Sequence, residues 1–335
     1  MMRLTTTVTL LSVLLGIPAY AAAACRTTTC DQQNPPANCA PLTPGGCNTS
    51  GIPIAWPNTC VSSSVSAHGS PLRNITADQM RGIVQAAFQQ WTSVKCANGE
   101  PPSFVVDMFP DVNCTDVTGD AGYKSAGPNY NIWIFHDTDW PYDVEAERAI
   151  ALTTVQFNPS TGEIYDADVE LNSQTSNFTT GLDFVDIDLP SVVQHESGHF
   201  LGLAHTPVST ATMLATLNRG EVSKRILDPD DVAGICAAYP PGNWDPTCDP
   251  EPRHGFSTEC NFTSGGCAIA ATNRVRHCNS LATIVAGLCL AVIALRRRKP
   301  LRADTTAKLG NSELSDRTKI EATGQCSRTA RDSLN

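Results

Sequence analysis

The segment His195-Glu196-Ser197-Gly198-His199-Phe200-Leu201-Gly202-Leu203-Ala204-His205 gathers three of the chain's seven histidines into eleven residues. On a helix, His195 and His199 are four residues apart and project from one face about a turn apart, so both imidazoles reach one metal ion. Gly202 can take a left-handed conformation closed to other residues, which lets the helix stop there and brings His205 round as a third nitrogen ligand. Three neutral imidazoles leave the fourth position of a tetrahedral Zn²⁺ open to water, as in a catalytic rather than a structural zinc site. Zinc lowers the pKa of such a water toward about 7, and Glu196, beside the first ligand, is placed to take the proton released on attack.

His-Glu-x-x-His by itself fixes three letters and also turns up in ordinary amphipathic helices. Adding Gly202 and His205 lowers chance matching to about one in 10⁵ for a chain of this length.

The eleven residues resemble the zinc signature of the metzincin metallopeptidases, which also carry a methionine turn beneath the metal. Met213, in Thr210-Ala211-Thr212-Met213-Leu214, stands eight residues after His205 and matches that turn. Such a methionine packs under the site without ligating. Leu201-Gly202-Leu203-Ala204-His205-Thr206 and the spacing to Met213 are most similar to the matrixins. Astacin-like and serralysin-like members place a tyrosine two residues past the methionine, where this chain has Ala215. The resemblance covers roughly Gly51 to Tyr239 and is sharp from Asp188 to Met213.

The resemblance implies an α+β fold: a metzincin-like catalytic domain with a twisted mixed five-stranded sheet, long helices including the zinc-binding one, and a Met-turn. It implies a zinc metalloendopeptidase acting on protein or peptide substrates, with His195, His199 and His205 as metal ligands and Glu196 as catalytic base. It implies that the strand corresponding to Ile150–Phe157 is an antiparallel edge bordering the cleft, open to pairing with an extended substrate peptide. The segment Leu214 to Val222 would shape the pocket beside the zinc. Matrixins commonly hold calcium and a second, structural zinc; with only His136 near the matching region, the second zinc is not expected here.

The letters around the motif fit one domain of nearly 190 residues. Asp188 is a candidate N-cap for the active-site helix and Pro190 sits in its first turn, where a missing amide costs nothing. Thr76-Ala77-Asp78-Gln79 is a capping box, followed by Met80, Ile83, Val84, Ala87, Phe88, Trp91 and Val94 at helical spacing. Asp228-Pro229-Asp230-Asp231 opens a last helix with Val232, Ile235, Cys236 and Tyr239 on one face, stopped by Pro240-Pro241. The alternation of Ile52, Ile54 and Trp56 predicts a first strand over Gly51–Cys60. Further strands are expected over Ser103–Phe109 and Asn129–Phe135, and a hairpin over Ile150–Phe157 and Glu163–Leu171 around Asn158-Pro159-Ser160-Thr161-Gly162. On its second strand, Asp166, Asp168 and Glu170 share one face. They read either as ligands for Ca²⁺, which wants oxygen donors, or as a solvated acidic face.

Met1-Met2-Arg3, the apolar run from Val8 to Ile17 and the alanines ending at Ala24 read as a signal peptide over residues 1–24. Fourteen cysteines without a cysteine-metal pattern point to an oxidising, extracellular compartment. Cys25, Cys30, Cys39, Cys47 and Cys60 are dense enough to pair largely among themselves, and a Cys-rich N-terminal segment is expected over 25–50. No Pro-Arg-Cys-Gly latency element is present; Cys47, in Pro44-Gly45-Gly46-Cys47, is either a thiol that reaches the zinc or a disulfide cysteine. The catalytic domain is placed at 51–241, a Cys/Pro/Gly-rich stalk at 242–279, a hydrophobic anchor with a basic stop at 280–299 and a polar tail at 300–335. The anchor rests on Leu281 to Leu295, fifteen uncharged residues followed by Arg296-Arg297-Arg298-Lys299. At about 22 Å as a helix it is short of the roughly 30 Å hydrocarbon core, so a buried core helix is its alternative. The formal charge of −10 argues against nucleic acid as a partner. Oligomeric state is not legible. The rival readings are a non-catalytic surface adhesion or peptide-binding module on the same fold, and a metal-buffering surface protein.

Overall fold

The computed structural model describes residues 24–30, 39–40, 46–115, 122–142 and 149–260, and the backbone of 328–334. The signal peptide, the apolar run 281–295, the basic cluster after it and most of the tail lie outside the described residues. No helix among the described residues is long and apolar enough to cross a membrane.

A central sheet has the order β2-β1-β3-β5-β4-β8, built from β1 (Cys60–Val65), β2 (Val105–Met108), β3 (Ile132–Phe135), β4 (Ala151–Phe157), β5 (Ile164–Leu171) and β8 (Arg328–Leu334). β1 runs parallel to β2 and β3, and β3 parallel to β5. β4 turns back antiparallel to β5, closing the expected hairpin. The first five form the mixed sheet expected from sequence. The sixth, β8, pairs antiparallel with the outer edge of β4 from Ala151↔Leu334 to Phe157↔Arg328. The edge expected to be open is thus filled, and the tail expected as merely polar contains a strand. A separate short pair joins β6 (Phe178–Thr179) to β7 (Ile187–Asp188).

The first strand is not where alternation placed it. Pro53 and Pro57 interrupt the 51–60 stretch and cannot donate to a ladder, so it makes only isolated bridges, Thr28↔Pro53 and Ala55↔Glu163. Ile54 and Trp56 are nonetheless buried, and β1 begins at Cys60.

Two long helices cover one face of the sheet. α1 (Ala77–Ser93) opens on the reciprocal Thr76/Gln79 capping box, and its Met80, Val84, Ala87, Phe88 and Trp91 are buried. α2 (Leu189–Phe200) carries the histidines. Phe88 packs edge-on to both Trp133 of β3 and Phe200 of α2, with ring centroids 6.0 and 4.9 Å away. Truncation of a ring in such a place typically costs about 3–5 kcal/mol. The Trp91 indole donates to the Gln194 carbonyl at 2.9 Å, so α1 fixes α2 by a directed bond as well as by burial. α3 (Pro229–Ala238) closes the domain on a second capping box, Asp228/Asp231.

The opposite face of the sheet is covered by loops and by the segment expected as a stalk. Residues 242–260 lie on the domain: the Pro250 carbonyl accepts from Ser62 N–H, the Thr258 carbonyl from Asn113 N–H, and Tyr130 Oη donates to the Glu259 carbonyl. Disulfides Cys60–Cys248 and Cys114–Cys260 fasten this strap, and Cys96–Cys236 joins the loop after α1 to α3. With spacings of 140 to 188 residues, each removes about 5 kcal/mol of unfolded-chain entropy in the loop-closure picture. At the other end Cys25 pairs with Cys47 and Cys30 with Cys39, as the dense N-terminal spacing suggested, whereas Cys60 leaves that group for Cys248.

Candidate metal centre

α2 starts where the sequence places it. The Asp188 carboxylate caps the Ser191 amide at 3.0 Å, and it also receives a two-point contact from the Arg225 guanidinium, Nε at 2.8 Å and Nη2 at 2.5 Å. That pair ties the segment following Met213 to the first turn of the helix. The helix ends at Phe200 with Leu201 as its cap, and the chain turns at Gly202, whose φ is +84°. A β-carbon there would stand 2.5 Å from the Ile54 carbonyl oxygen, so both the backbone twist and the close approach require glycine. The N-terminal segment braces this turn: Thr27 N–H donates to the Gly202 carbonyl at 3.0 Å, and Ala204 N–H to the Cys25 carbonyl at 3.0 Å.

The chain so redirected brings the three imidazoles together. Nε2 of His199 lies 3.0 Å from that of His195 and 3.1 Å from that of His205, and the remaining pair is 3.2 Å apart. His195 Nδ1 faces the Thr212 carbonyl at 2.6 Å and His199 Nδ1 the Leu203 carbonyl at 2.9 Å. A carbonyl oxygen only accepts, so in both rings the hydrogen resides on Nδ1 and the Nε2 lone pair points inward. Burial, reinforced by His199 and His205, holds His195 well below the ordinary imidazole pKa and keeps it neutral. Converging lone pairs cannot satisfy one another, whereas a cation satisfies them together. Among the described residues this is the one group of His, Cys, Asp and Glu whose donor atoms are close enough for that.

Beneath the histidines the Met-turn is fixed on both sides. Met213 is buried, and a β-carbon at Gly198 would lie 2.2 Å from its sulfur, so glycine on the underside of α2 is what admits the methionine. The Met213 carbonyl accepts from Thr206 N–H at 3.0 Å. Asp231 takes the Thr212 and Met213 amides at 2.7 and 3.0 Å. Lys224, fully buried, extends its ammonium to the carbonyls of Thr212 and Leu214 at 3.2 and 2.5 Å. Burial pushes its pKa down to about 8. The Thr212 carbonyl therefore holds His195 on one side and Lys224 on the other.

Glu196 is buried at the base of the site, and its Oε2 accepts from the Thr153 hydroxyl of β4 at 2.5 Å. β4 is thereby the strand that runs past the histidines.

The sequence-predicted residues divide clearly. His195, Glu196, His199, His205 and Met213 come together. Asp166, Asp168 and Glu170 do share a face of β5, but it is neither solvated nor a converging ligand set: all three are buried against the covering loops. Glu170 bonds His136 at 2.8 Å and receives the Tyr142 hydroxyl, while Asp168 accepts the Ile132 amide at 3.0 Å. Burial pushes Asp166 up to about 7, and burial together with the Asp166 charge raises Asp168 well above the carboxylate range. Cys47 is in a disulfide with Cys25, which removes it as a thiol for the metal. Sequence reading missed Thr153, Lys224 and Arg225 as supports of the site. Asp231 was visible only as a helix opener. Lys224 and Arg225 carry no local signal, since a basic dipeptide between Ser223 and Ile226 reads as surface.

Comparison with known proteins agrees with the geometry. The matrixin family model matches residues 131–240, a span that contains β3, β4, β5, α2, the Met-turn and α3. Metalloendoproteinase 1-MMP of Arabidopsis thaliana is 29% identical over 167 residues, which is 50% of this chain and 40% of that protein. Metalloendoproteinase 4-MMP of the same plant is 28% identical over 164 residues, 48% of this chain and 40% of its own length. Metalloendoproteinase 2-MMP is 27% identical over 170 residues, 50% and 39% of the two chains. This chain spans about two fifths of the length of the curated relatives it matches.

Proposed function

We propose, from the match of residues 131–240 to the matrixin family model, that this chain is a zinc-dependent endopeptidase of protein substrates. The observation that carries the reading is the convergence of three Nε2 atoms within 3.2 Å beside a buried carboxylate on the same helix. His195, His199 and His205 would hold the ion. Zinc in that position supplies a Lewis acid toward a peptide carbonyl and toward water. Glu196 takes the proton from the attacking water on its carboxylate and later returns it to the leaving amine. Thr212 and Leu203 keep the imidazoles turned inward throughout.

The substrate is assigned to the outer edge of β4, because that strand passes Glu196 and its edge already accepts a partner in the antiparallel sense. β8 and a substrate peptide cannot both occupy it. The five disulfides among the described residues support export, for which residues 1–24 are the proposed signal peptide. Anchoring through residues 281–295 is the second form of that reading. An anchored chain would carry its tail across the bilayer and could not keep β8 on β4, so the two arrangements exclude each other. The proposed cofactor is zinc, since the three histidines are the one group of His, Cys, Asp and Glu among the described residues whose donor atoms converge.

The test is hydrolysis of denatured casein by the purified protein, before and after removal of metal with a chelator and after zinc is restored. Loss on chelation and recovery with zinc are expected. Hydrolysis that resists chelation refutes the reading, and zinc binding without any hydrolysis favours the peptide-binding module instead.

A further inference from the structure

We infer that Thr153 is the positioning residue for Glu196: its hydroxyl fixes Oε2 of the carboxylate, and Oε1 is then the oxygen assigned to proton transfer. The inference rests on the endopeptidase reading above and goes beyond it, because nothing in that reading requires a donor on the sheet. Along β4 the inward row is Ala151, Thr153, Val155 and Phe157, all buried, with the other three members in the hydrophobic core. A hydroxyl in that row is the exception. Valine has the same shape and the same preference for strands, and burying a hydroxyl without a partner costs about 1–3 kcal/mol. The hydroxyl at 153 is matched by an acceptor on α2, Glu196 Oε2 at 2.5 Å.

The geometry suits a positioning role. A carboxylate only accepts, so the threonine donates, and the bond is charge-assisted. A branched β-carbon restricts χ1, and β4 is paired with β5 along its whole length, so the donor is held nearly as firmly as the backbone. Glutamate has three rotatable bonds between its backbone and its oxygens. A donor from a different element removes that freedom before substrate arrives, the preorganisation from which a general base gains rate.

The experiment uses the full chain loaded with zinc, as wild type, T153S, T153V and E196A. kcat and KM are measured on a peptide substrate, and affinity is measured for a peptide hydroxamate, whose acidic proton needs an acceptor beside the metal. T153V is expected to lower kcat by about tenfold to a hundredfold with KM within about twofold, and to keep its zinc, while T153S recovers most of the loss. Hydroxamate affinity should fall about tenfold in T153V, and the same substitution should have no effect on that affinity in the E196A background. Wild-type kcat in T153V, a T153S variant as impaired as T153V, or an undiminished hydroxamate effect in E196A would overturn the assignment. If T153V does not fold, T153S and T153A give the same comparison. An inactive wild type defeats the endopeptidase reading itself, whereas an active wild type with a dead E196A and an unaffected T153V defeats only this inference.

Discussion

The Thr212 carbonyl oxygen lies 2.6 Å from Nδ1 of His195, and it is the same oxygen that the buried Lys224 ammonium reaches at 3.2 Å. One backbone group of the Met-turn therefore orients a metal-facing imidazole and is itself held in place by a charge. This links α2 to the turn seven residues past His205, so an element that supplies none of the three histidines orients one of them.

Removing that charge should loosen the metal without abolishing the fold. In K224M the carbonyls of Thr212 and Leu214 lose their donor, and zinc affinity is expected to fall about tenfold to a hundredfold. Competition with a chromophoric chelator reads this directly, and unchanged affinity contradicts the role given to Lys224.

The underside of α2 tolerates no side chain at Gly198. G198A places a β-carbon against the Met213 sulfur and the Trp91 ring and should destabilise the domain by about 1–3 kcal/mol. Denaturant unfolding measures it, and a neutral or stabilising effect means the methionine is not packed as described.

Stability should also report the carboxylates buried on β5. Asp166 is raised to about 7 in the folded protein against an ordinary 3.8, and Asp168 is raised as well. Between 3.8 and about 7 the native state holds the Asp166 proton that the unfolded chain has released, so stability falls as pH climbs across that window and the Asp166 contribution then levels. D166N should flatten that fall by an amount on the order of a few kcal/mol. Urea titrations at pH 4.5 and 7.5 suffice; an equal pH dependence in wild type and variant would show that Asp166 is not protonated in the native state.

Truncation before residue 327 should expose the outer edge of β4. If substrate lies there, loss of β8 lowers KM several-fold and leaves kcat near its starting value. A KM unaltered by truncation would place the substrate elsewhere.

Much of the domain could be read from its letters, for identifiable reasons. The capping boxes at Thr76/Gln79 and Asp228/Asp231 are local bonds between residues three apart, so sequence displays them and the structure contains them. The His195–His205 segment is local in the same way. β1 was displaced because Cys60–Val65 carries three consecutive serines and is buried on both faces, so no alternation marks it, while Ile52, Ile54 and Trp56 alternate on a stretch broken by proline. The acidic row of β5 lies on the expected face, but its surroundings are set from afar: Glu170 meets His136 and Tyr142, and Asp168 the Ile132 amide, 28 to 36 residues upstream. Thr153 and Lys224 act across 43 and 12 residues, and nothing near either one announces its partner.

Proton transfer by Glu196 beside an ion held by three histidines stands or falls with the E196A protein. Elemental analysis and casein hydrolysis on one preparation should give about one zinc per chain in both wild type and E196A, with hydrolysis only in the wild type. Hydrolysis by zinc-replete E196A at the wild-type rate would remove Glu196 as the base, and a purified wild type that carries no zinc would remove the metal site.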